Sequence, residues 1–335
     1  TVMNLGVLYN LRGQSDVAEQ YYRKVVDMDS TYELGYVKLG NHLLDNYKQE
    51  EGFLYLEKAV KLAPNDPQCI SELAKYYSYN SSDTAREQAV ELFSNAIETD
   101  PYYIWAYINM AWYHSNSRNY TEAEKYFQLA IDSMPFRAVP YHQMARFKSQ
   151  RKQYDEAIAF FEKGIDVDQY HYASYESYSR FLERTMHQQE KSEEILKNAW
   201  EIFENSPLVA KDIADFYYRS GDTSEAIVYY EKAKVIDSSF AYSYSSLAVI
   251  YMNKNEFHKA MVNFKKAVSL NPYKLDVKEF LQNVQNKSIG LVSTNTDAAL
   301  LGFNTILNED PNNLIALKNI AKIYYISDEP KQALT

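Results

Sequence analysis

The chain has 335 residues, of which nine are Gly, nine are Pro and one is Cys. So few turn-forming residues argue against an all-β sandwich or a Gly-rich nucleotide-binding fold, and the single Cys69 excludes an internal disulfide or a thiolate metal cluster. The formal net charge of -10 has the wrong sign for binding nucleic acid phosphates or anionic lipid. The composition therefore predicts a helical protein with no nucleic acid as partner.

The sequence has no apolar run of about 18 residues, the length that would cross a bilayer. We therefore expect no direct membrane insertion by this fragment. Thr1 already lies inside a helical pattern with no charged and apolar leader before it, and neither end carries a polar capping helix. From this we expect the native protein to be longer.

Small residues recur along the chain at a fixed spacing. Ala89 and Ala96 return 34 residues later as Ala123 and Ala130. The same pair continues as Ala157 and Gly164 and, after a shift of one residue near Ala199, as Ala226 and Ala233 and as Ala260 and Ala267. A fixed period in this range is the signature of a repeat architecture.

Each period contains two helical patterns. Tyr107, Met110 and Ala111 have the spacing of one helix face, and Ala123 and Phe127 share a face of the next helix. A helix ends before each proline that closes a repeat, because the residue before proline avoids the α conformation. These closing residues include Pro64, Pro101, Pro135 and Pro311. The pattern predicts two packed helices in every repeat.

These residues resemble the tetratricopeptide repeat family, whose unit is a helix-turn-helix of about 34 residues. Its first helix has a small-residue doublet, its second helix has Ala and an aromatic residue, and Pro closes it. The segments 107–135 and 244–272 carry this pattern most completely. The resemblance covers nearly the whole chain and implies an all-α fold, a right-handed superhelical α-solenoid.

We interpret residues 1–335 as one solenoid of about nine helix pairs. Its repeats are predicted at 1–32, 33–66, 67–103, 104–137, 138–171, 172–206, 207–240, 241–274 and 280–313, with a partial repeat at 314–335. The segment 283–298 lies in an insertion rich in Asn, Ser and Thr and is the candidate hinge.

Residue patterns typical of catalysis are absent from the sequence. The six His residues are scattered, without an HExxH motif or a carboxylate partner at ligand spacing. No GxGxxG, GxxxxGK[ST] or GxSxG motif occurs. We therefore predict no catalytic residue, no metal site and no cofactor, and a protein that is not an enzyme.

The resemblance places certain positions of each first helix on the concave face of the superhelix. From the repeat at 104 onwards, these positions hold Trp105, Ile108, Trp112, His142, Arg146, Glu176, Arg180 and Lys211. Because Trp and Arg dominate the energetics of protein interfaces, we predict a partner-binding groove here. The alternative is that Trp105 and Trp112 pack against the next repeat, and the sequence leaves both interpretations open.

Two specialised functions of the family lack their residues in this sequence. The carboxylate clamp of co-chaperones needs an Asn one turn after a Lys, but Asp215 follows Lys211. The Asn ladder of sugar-transferring relatives would occupy the positions that hold Lys38, Glu72, Asn109, Gln143, Ser177, Asp212 and Ser246. An apolar patch beside two guanidinium groups instead suits an extended peptide with aromatic or aliphatic anchors followed by acidic residues.

The leading interpretation is a non-catalytic scaffold or adaptor that binds an extended segment of a partner protein in its concave groove. Two alternatives stay open. One is a regulatory or sensory region of a larger enzyme or signalling protein, and the other is an envelope-associated assembly or export protein. The expected partner is a protein or peptide, while its identity and the oligomeric state are undetermined. A cytoplasmic location is favoured over a periplasmic or envelope-anchored one.

Overall fold

The computed structural model describes residues 2–11, 14–80, 82–271 and 276–326. Those residues form 19 α-helices and no β-strand. Each first helix packs on the second helix that follows it, and successive pairs pack on one another within each compact unit. The all-α fold and the α-solenoid class predicted from the sequence are confirmed. None of the described helices is long and apolar enough to cross a membrane.

The chain divides into two compact units, Thr1–Ile202 and Phe203–Thr335. The helices of the first unit are α1 (Val2–Leu11), α2 (Ser15–Met28), α3 (Glu33–Asp45), α4 (Gln49–Leu62), α5 (Pro67–Ser78), α6 (Asp83–Thr99), α7 (Ile104–Asn116), α8 (Tyr120–Ser133), α9 (Ala138–Gln150), α10 (Tyr154–Val167), α11 (Tyr172–Arg184) and α12 (Gln189–Ile202).

The helices of the second unit are α13 (Pro207–Ser220), α14 (Thr223–Ile236), α15 (Ala241–Asn253), α16 (Phe257–Leu270), α17 (Val277–Leu291), α18 (Thr296–Glu309) and α19 (Leu314–Ile326). The end of the repeat predicted at 241–274 and the end of the partial repeat, 327–335, lie outside the described residues. Within the candidate hinge, residues 283–291 belong to α17 and residues 296–298 begin α18. Bending at this segment stays a prediction.

Local sequence signals set the ends of the helices, as α13 illustrates. The hydroxyl oxygen of Ser206 accepts a hydrogen bond from the backbone N–H of Val209 at 3.5 Å, and Pro207 occupies the first turn, where a missing N–H costs nothing. At the other end, Gly221 adopts a left-handed conformation with φ of 91°. These residues mark the start and the end of the helix.

The turn between the first and second helix of a repeat requires a left-handed residue. Gly221 supplies it in one repeat, but in five others a non-glycine residue takes this conformation. These residues are Tyr47 (φ 63°), Arg118 (φ 61°), Lys152 (φ 60°), His187 (φ 56°) and Asn255 (φ 62°). A non-glycine residue in the left-handed conformation destabilises the fold by about 1 kcal/mol. Packing of the helix pair must therefore offset this cost.

Aromatic side chains from successive helices form the core between repeats. Phe127 on α8 is fully buried, and its ring centroid lies 5.2 Å from that of Trp112 on α7 and 5.2 Å from that of Phe147 on α9. Phe161 on α10 is buried in the same way against Tyr178 on α11. Burying one such ring stabilises the fold by about 2 kcal/mol. Each repeat therefore completes its core on the next one, which places α7, α9 and α11 side by side.

Candidate functional site

Three neighbouring first helices of the first unit carry most of the predicted site residues. Helix α9 packs against both α7 and α11. We call the part of these helices that bears Trp105, Trp112, Arg146, Glu176 and Arg180 the first-helix surface. Its geometry depends on how the three helices are joined to one another.

Side-chain hydrogen bonds join neighbouring first helices along this unit. The four bonds run from Asn41 to Glu72 (3.0 Å), from Asn109 to Ser71 (3.1 Å), from Trp112 to Gln143 (3.1 Å) and between His142 and Ser177 (2.9 Å). One partner in each bond, namely Glu72, Asn109, Gln143 or Ser177, occupies a position that corresponds to the Asn ladder. These polar groups therefore connect repeats, and they are not free hydrogen-bonding groups on the surface.

Trp112 is partly buried between two repeats. Its ring meets the buried Phe127 ring edge to face, and its indole N–H donates to Gln143 on the next first helix. On the open side, the guanidinium carbon of Arg146 lies 5.4 Å from the centre of the Trp112 ring. Trp105, two turns earlier on the same helix, is 43% exposed. Trp112 thus packs between repeats, while Trp105 is accessible to a partner.

Two of the residues predicted to contact a partner are buried. Ile108 is 1% exposed within the hydrophobic core, and His142 is 7% exposed. A side chain buried to this degree is covered in this conformation, which corrects the prediction for these two residues. The physical reason is that a first helix packs on neighbouring first helices as well as on its own second helix. The buried face of a first helix is therefore wider than it would be if the helix packed on its own second helix alone.

Burial also sets the charge state of His142. Desolvation, together with the positive charges of His171 and Arg146, lowers the pKa of His142 from 6.5 to about 4. The imidazole is therefore neutral at neutral pH, where its Nε2 shares a hydrogen bond with the Ser177 hydroxyl. His142 is a connecting residue of the α9–α11 contact.

A cleft on the first-helix surface concentrates positive charge. It has a volume of about 300 Å³ and lies against Arg146 of α9 and Arg180 and Arg184 of α11. We call it the arginine cleft. Its other lining residues are Ser149, Gln150, Phe161, Ser177, Phe181 and Thr185. Sequence reasoning identified Arg146 and Arg180 but missed Arg184, although its position one turn after Arg180 was a signal that could have found it.

Glu176 and Lys211 are both engaged in ion pairs. Glu176 pairs with Arg180 one turn later on α11. Lys211 lies in the second unit, where its ammonium group is 2.6 Å from Asp212 and 3.1 Å from Asp215. A role for Lys211 in partner binding stays a prediction. Among the described residues, no three His, Cys, Asp or Glu side chains are grouped as metal ligands.

Two family profiles, both described as tetratricopeptide repeat, match the sequence. One matches residues 1–32, 138–171, 212–239 and 241–274, and the other matches residues 104–133. The uncharacterized protein ycf37 of Guillardia theta is 38% identical over 81 residues, which are 23% of this chain and 44% of that protein. The chain thus spans less than half the length of this curated relative.

Several solved structures are similar to the chain at low sequence identity. YrrB, described as a TPR protein with an unusual peptide-binding site, is 21% identical with a TM-score of 0.37, over 54% of this chain and 93% of that one. MamA is 20% identical with a TM-score of 0.36, over 49% and 94%. The human IFIT1 dimer with m7Gppp-AAAA is 14% identical with a TM-score of 0.47, over 99% and 78%.

Proposed function

The chain belongs to the tetratricopeptide repeat family, and from that premise we propose that it is a non-catalytic scaffold whose first-helix surface binds an extended segment of a partner protein. One observation carries the proposal. An exposed tryptophan, Trp105, lies on the same three packed helices as a cleft lined by three arginines. Among the described residues, no other charged side chain lines that cleft.

The chemistry of this surface suits a partner with both apolar and acidic groups. Trp105 offers a large apolar area that a partner can bury, and such residues supply much of the energy of protein interfaces. Arg146 is exposed and stacked on Trp112, which fixes the direction of its guanidinium group. Fixed guanidinium groups bind carboxylates in pairs of parallel hydrogen bonds. The expected partner segment has an aromatic or aliphatic anchor followed by acidic residues.

The test separates binding from stability by using the two tryptophans. Trp105→Ala removes an exposed ring, so it should weaken partner binding by more than about 1 kcal/mol and leave the melting temperature unchanged. Trp112→Ala removes a ring that packs between repeats, so it should lower the melting temperature. Both variants are measured by thermal melting and by quantitative capture of a partner identified through a photo-crosslinker at position 105.

Two further variants complete the experiment. Arg146→Glu reverses a charge of the cleft and should weaken capture in a salt-dependent manner. Tyr47→Ala removes a side chain that is 91% exposed in a turn of the same unit and serves as the matched control. Capture that is equal in Trp105→Ala, Arg146→Glu and wild type would show that the partner binds elsewhere.

A further inference from the structure

The arginine cleft holds more positive charge than its surroundings neutralise. Among the described residues, Glu176 forms the one ion pair made by these arginines, with Arg180. Arg146 contacts the Trp112 ring and the neutral Gln143 amide, and Arg184 is exposed, with no ion pair to any described carboxylate. The side chains that line the cleft therefore carry a surplus of positive charge. This surplus occurs on a chain whose net charge is -10.

We propose that the arginine cleft binds a phosphorylated Ser or Thr side chain of the partner segment. This inference rests on the proposed function and names the chemical group that the same surface recognises. A phosphoryl ester carries a charge of about -1.5 to -2 at neutral pH and has three strong acceptor oxygens. It therefore matches the surplus charge of the cleft.

A carboxylate matches the cleft less well than a phosphoryl group. A carboxylate has one charge and two oxygens, and a single arginine satisfies it with two parallel hydrogen bonds. The cleft presents three guanidinium groups and, in addition, the hydroxyl groups of Ser149 and Thr185. This number of donors exceeds what one carboxylate accepts. A phosphoryl group, with its greater charge and three acceptor oxygens, can bond to more of these donors at once.

Two apolar rings in the lining of the cleft strengthen its interaction with an anion. Phe161 is 1% exposed and Phe181 is 6% exposed, and their ring centroids lie 5.6 Å apart. Both rings are among the residues that line the cleft. An apolar wall lowers the local dielectric response, so a charge pair beside it interacts more strongly than one in open water. The volume of about 300 Å³ accommodates a phosphoryl group together with the side chain that carries it.

The surrounding surface favours a protein as the source of the phosphoryl group. Nucleic acid binding draws on many phosphate contacts along a positively charged track, whereas this chain has a net charge of -10 and the arginine cleft has a volume of about 300 Å³. The neighbouring helix α7 presents the exposed Trp105, which binds an apolar side chain of the same segment. A phosphorylated peptide with a nearby apolar anchor uses both features.

The experiment measures binding of three synthetic peptides that share an aromatic anchor and differ at one residue: phosphoserine, serine or glutamate. Isothermal titration calorimetry is carried out on the full chain, on Arg184→Gln and on Arg86→Gln. Arg184 makes no ion pair with any described residue, so its replacement should leave the fold intact, which circular dichroism verifies. Arg86 is an exposed arginine of α6, 3.4 Å from Asp83, and is the matched control outside the cleft.

We expect the phosphoserine peptide to bind at least tenfold more tightly than the other two. Arg184→Gln should weaken it about tenfold and leave the serine peptide unaffected, while Arg86→Gln should behave as wild type. Inorganic phosphate at matched ionic strength should shift the side-chain NMR signal of Arg184, and chloride should not. Equal binding of the phosphoserine and glutamate peptides, or an Arg184→Gln variant that binds normally, overturns the proposal.

The two proposals fail in separate ways. Partner capture that does not depend on Trp105 counts against the scaffold surface, whatever the peptides show. A cleft that does not distinguish phosphoserine from serine overturns the phosphoryl proposal and leaves the scaffold surface standing. Tighter binding of a 5′-phosphorylated oligoribonucleotide than of the phosphopeptide would also overturn it, because the ligand would then be nucleic acid.

Discussion

The indole N–H of Trp112 donates a hydrogen bond to the side-chain oxygen of Gln143, with the two atoms 3.1 Å apart. Trp112 belongs to α7 and Gln143 to α9, so this bond connects two repeats. The same oxygen accepts a second hydrogen bond from Arg146 at 3.3 Å. One amide that is 8% exposed therefore orients both the tryptophan and an arginine of the cleft.

The first prediction concerns this bond. Trp112→Phe keeps an aromatic ring against Phe127 but removes the N–H donor, and we expect it to lower the free energy of unfolding by about 1 kcal/mol. A double-mutant cycle with Gln143→Met should give a coupling energy of similar size, measured by urea denaturation. Trp105→Phe is the control, because Trp105 makes no such bond among the described contacts. Purely additive effects would contradict a direct interaction between the two side chains.

The second prediction is a loss of stability in acid that depends on His142. The folded state lowers the pKa of this residue from 6.5 to about 4, so the unfolded chain binds the proton more readily between these values. The contribution of His142 to the free energy of unfolding is complete above pH 6.5. It is lost as the pH falls towards 4, by up to about 3 kcal/mol. The pKa of the neighbouring His171 is also lowered, chiefly by burial. This residue therefore also lowers the stability of the fold in acid.

His142→Gln keeps a group that can bond to Ser177 but does not titrate. Its melting temperature should therefore fall less than that of wild type when the pH is lowered through this range. His258→Gln, at an exposed position of α16, is the control and should follow the wild-type profile. Identical pH profiles for His142→Gln and wild type would mean that His142 is not the titrating group.

The third prediction concerns a buried lysine between two glutamates. The ammonium group of Lys148 lies 2.6 Å from Glu124 and 2.7 Å from Glu156, and its side chain is 2% exposed. Burial alone would lower the pKa of Lys148, but the two carboxylates raise it, so the group stays charged. Replacing both glutamates by Gln should destabilise the protein by about 3 kcal/mol, because a buried charge is left unpaired.

The single Glu124→Gln and Glu156→Gln variants should each cost less than half of the double variant, since one carboxylate remains beside the ammonium group. Adding Lys148→Met to the double variant should restore most of the stability, because the unpaired charge is then removed. Urea denaturation of the four variants measures these differences. Additive single effects, or no recovery with Met, would show that the pairing is not what stabilises Lys148.

The fourth prediction uses the left-handed turns. Lys152 has a φ of 60° between α9 and α10, at the turn position that Gly221 fills in another repeat. Lys152→Gly should raise the free energy of unfolding by about 0.5 kcal/mol, since the relief of strain exceeds the entropy that Gly loses on folding. Lys163→Gly, in the interior of α10, is the contrasting variant and should destabilise by about 1 kcal/mol. Destabilisation by Lys152→Gly would mean that its side chain makes a favourable contact.

The sequence by itself determined the helical repeat architecture. The recurring Ala pairs, such as Ala123 and Ala130, lie on the same helix face because of helix geometry alone. The closing prolines act on the residue immediately before them. These are local effects within one repeat, so they are readable without a structure. The left-handed turns were not readable in this way, since Lys152 and Arg118 carry no local preference for that conformation.

The tertiary structure decided which first-helix residues reach the surface. Ile108 and Trp105 both lie in the predicted stripe, yet one is buried and the other is exposed. Likewise, Arg146 of α9 meets Arg184 of α11 in one cleft only because of the way those two helices pack. The geometry of a single helix fixes which residues share a face. Contacts among three or more helices, which depend on side chains distant in the sequence, decide how much of that face stays open to a partner.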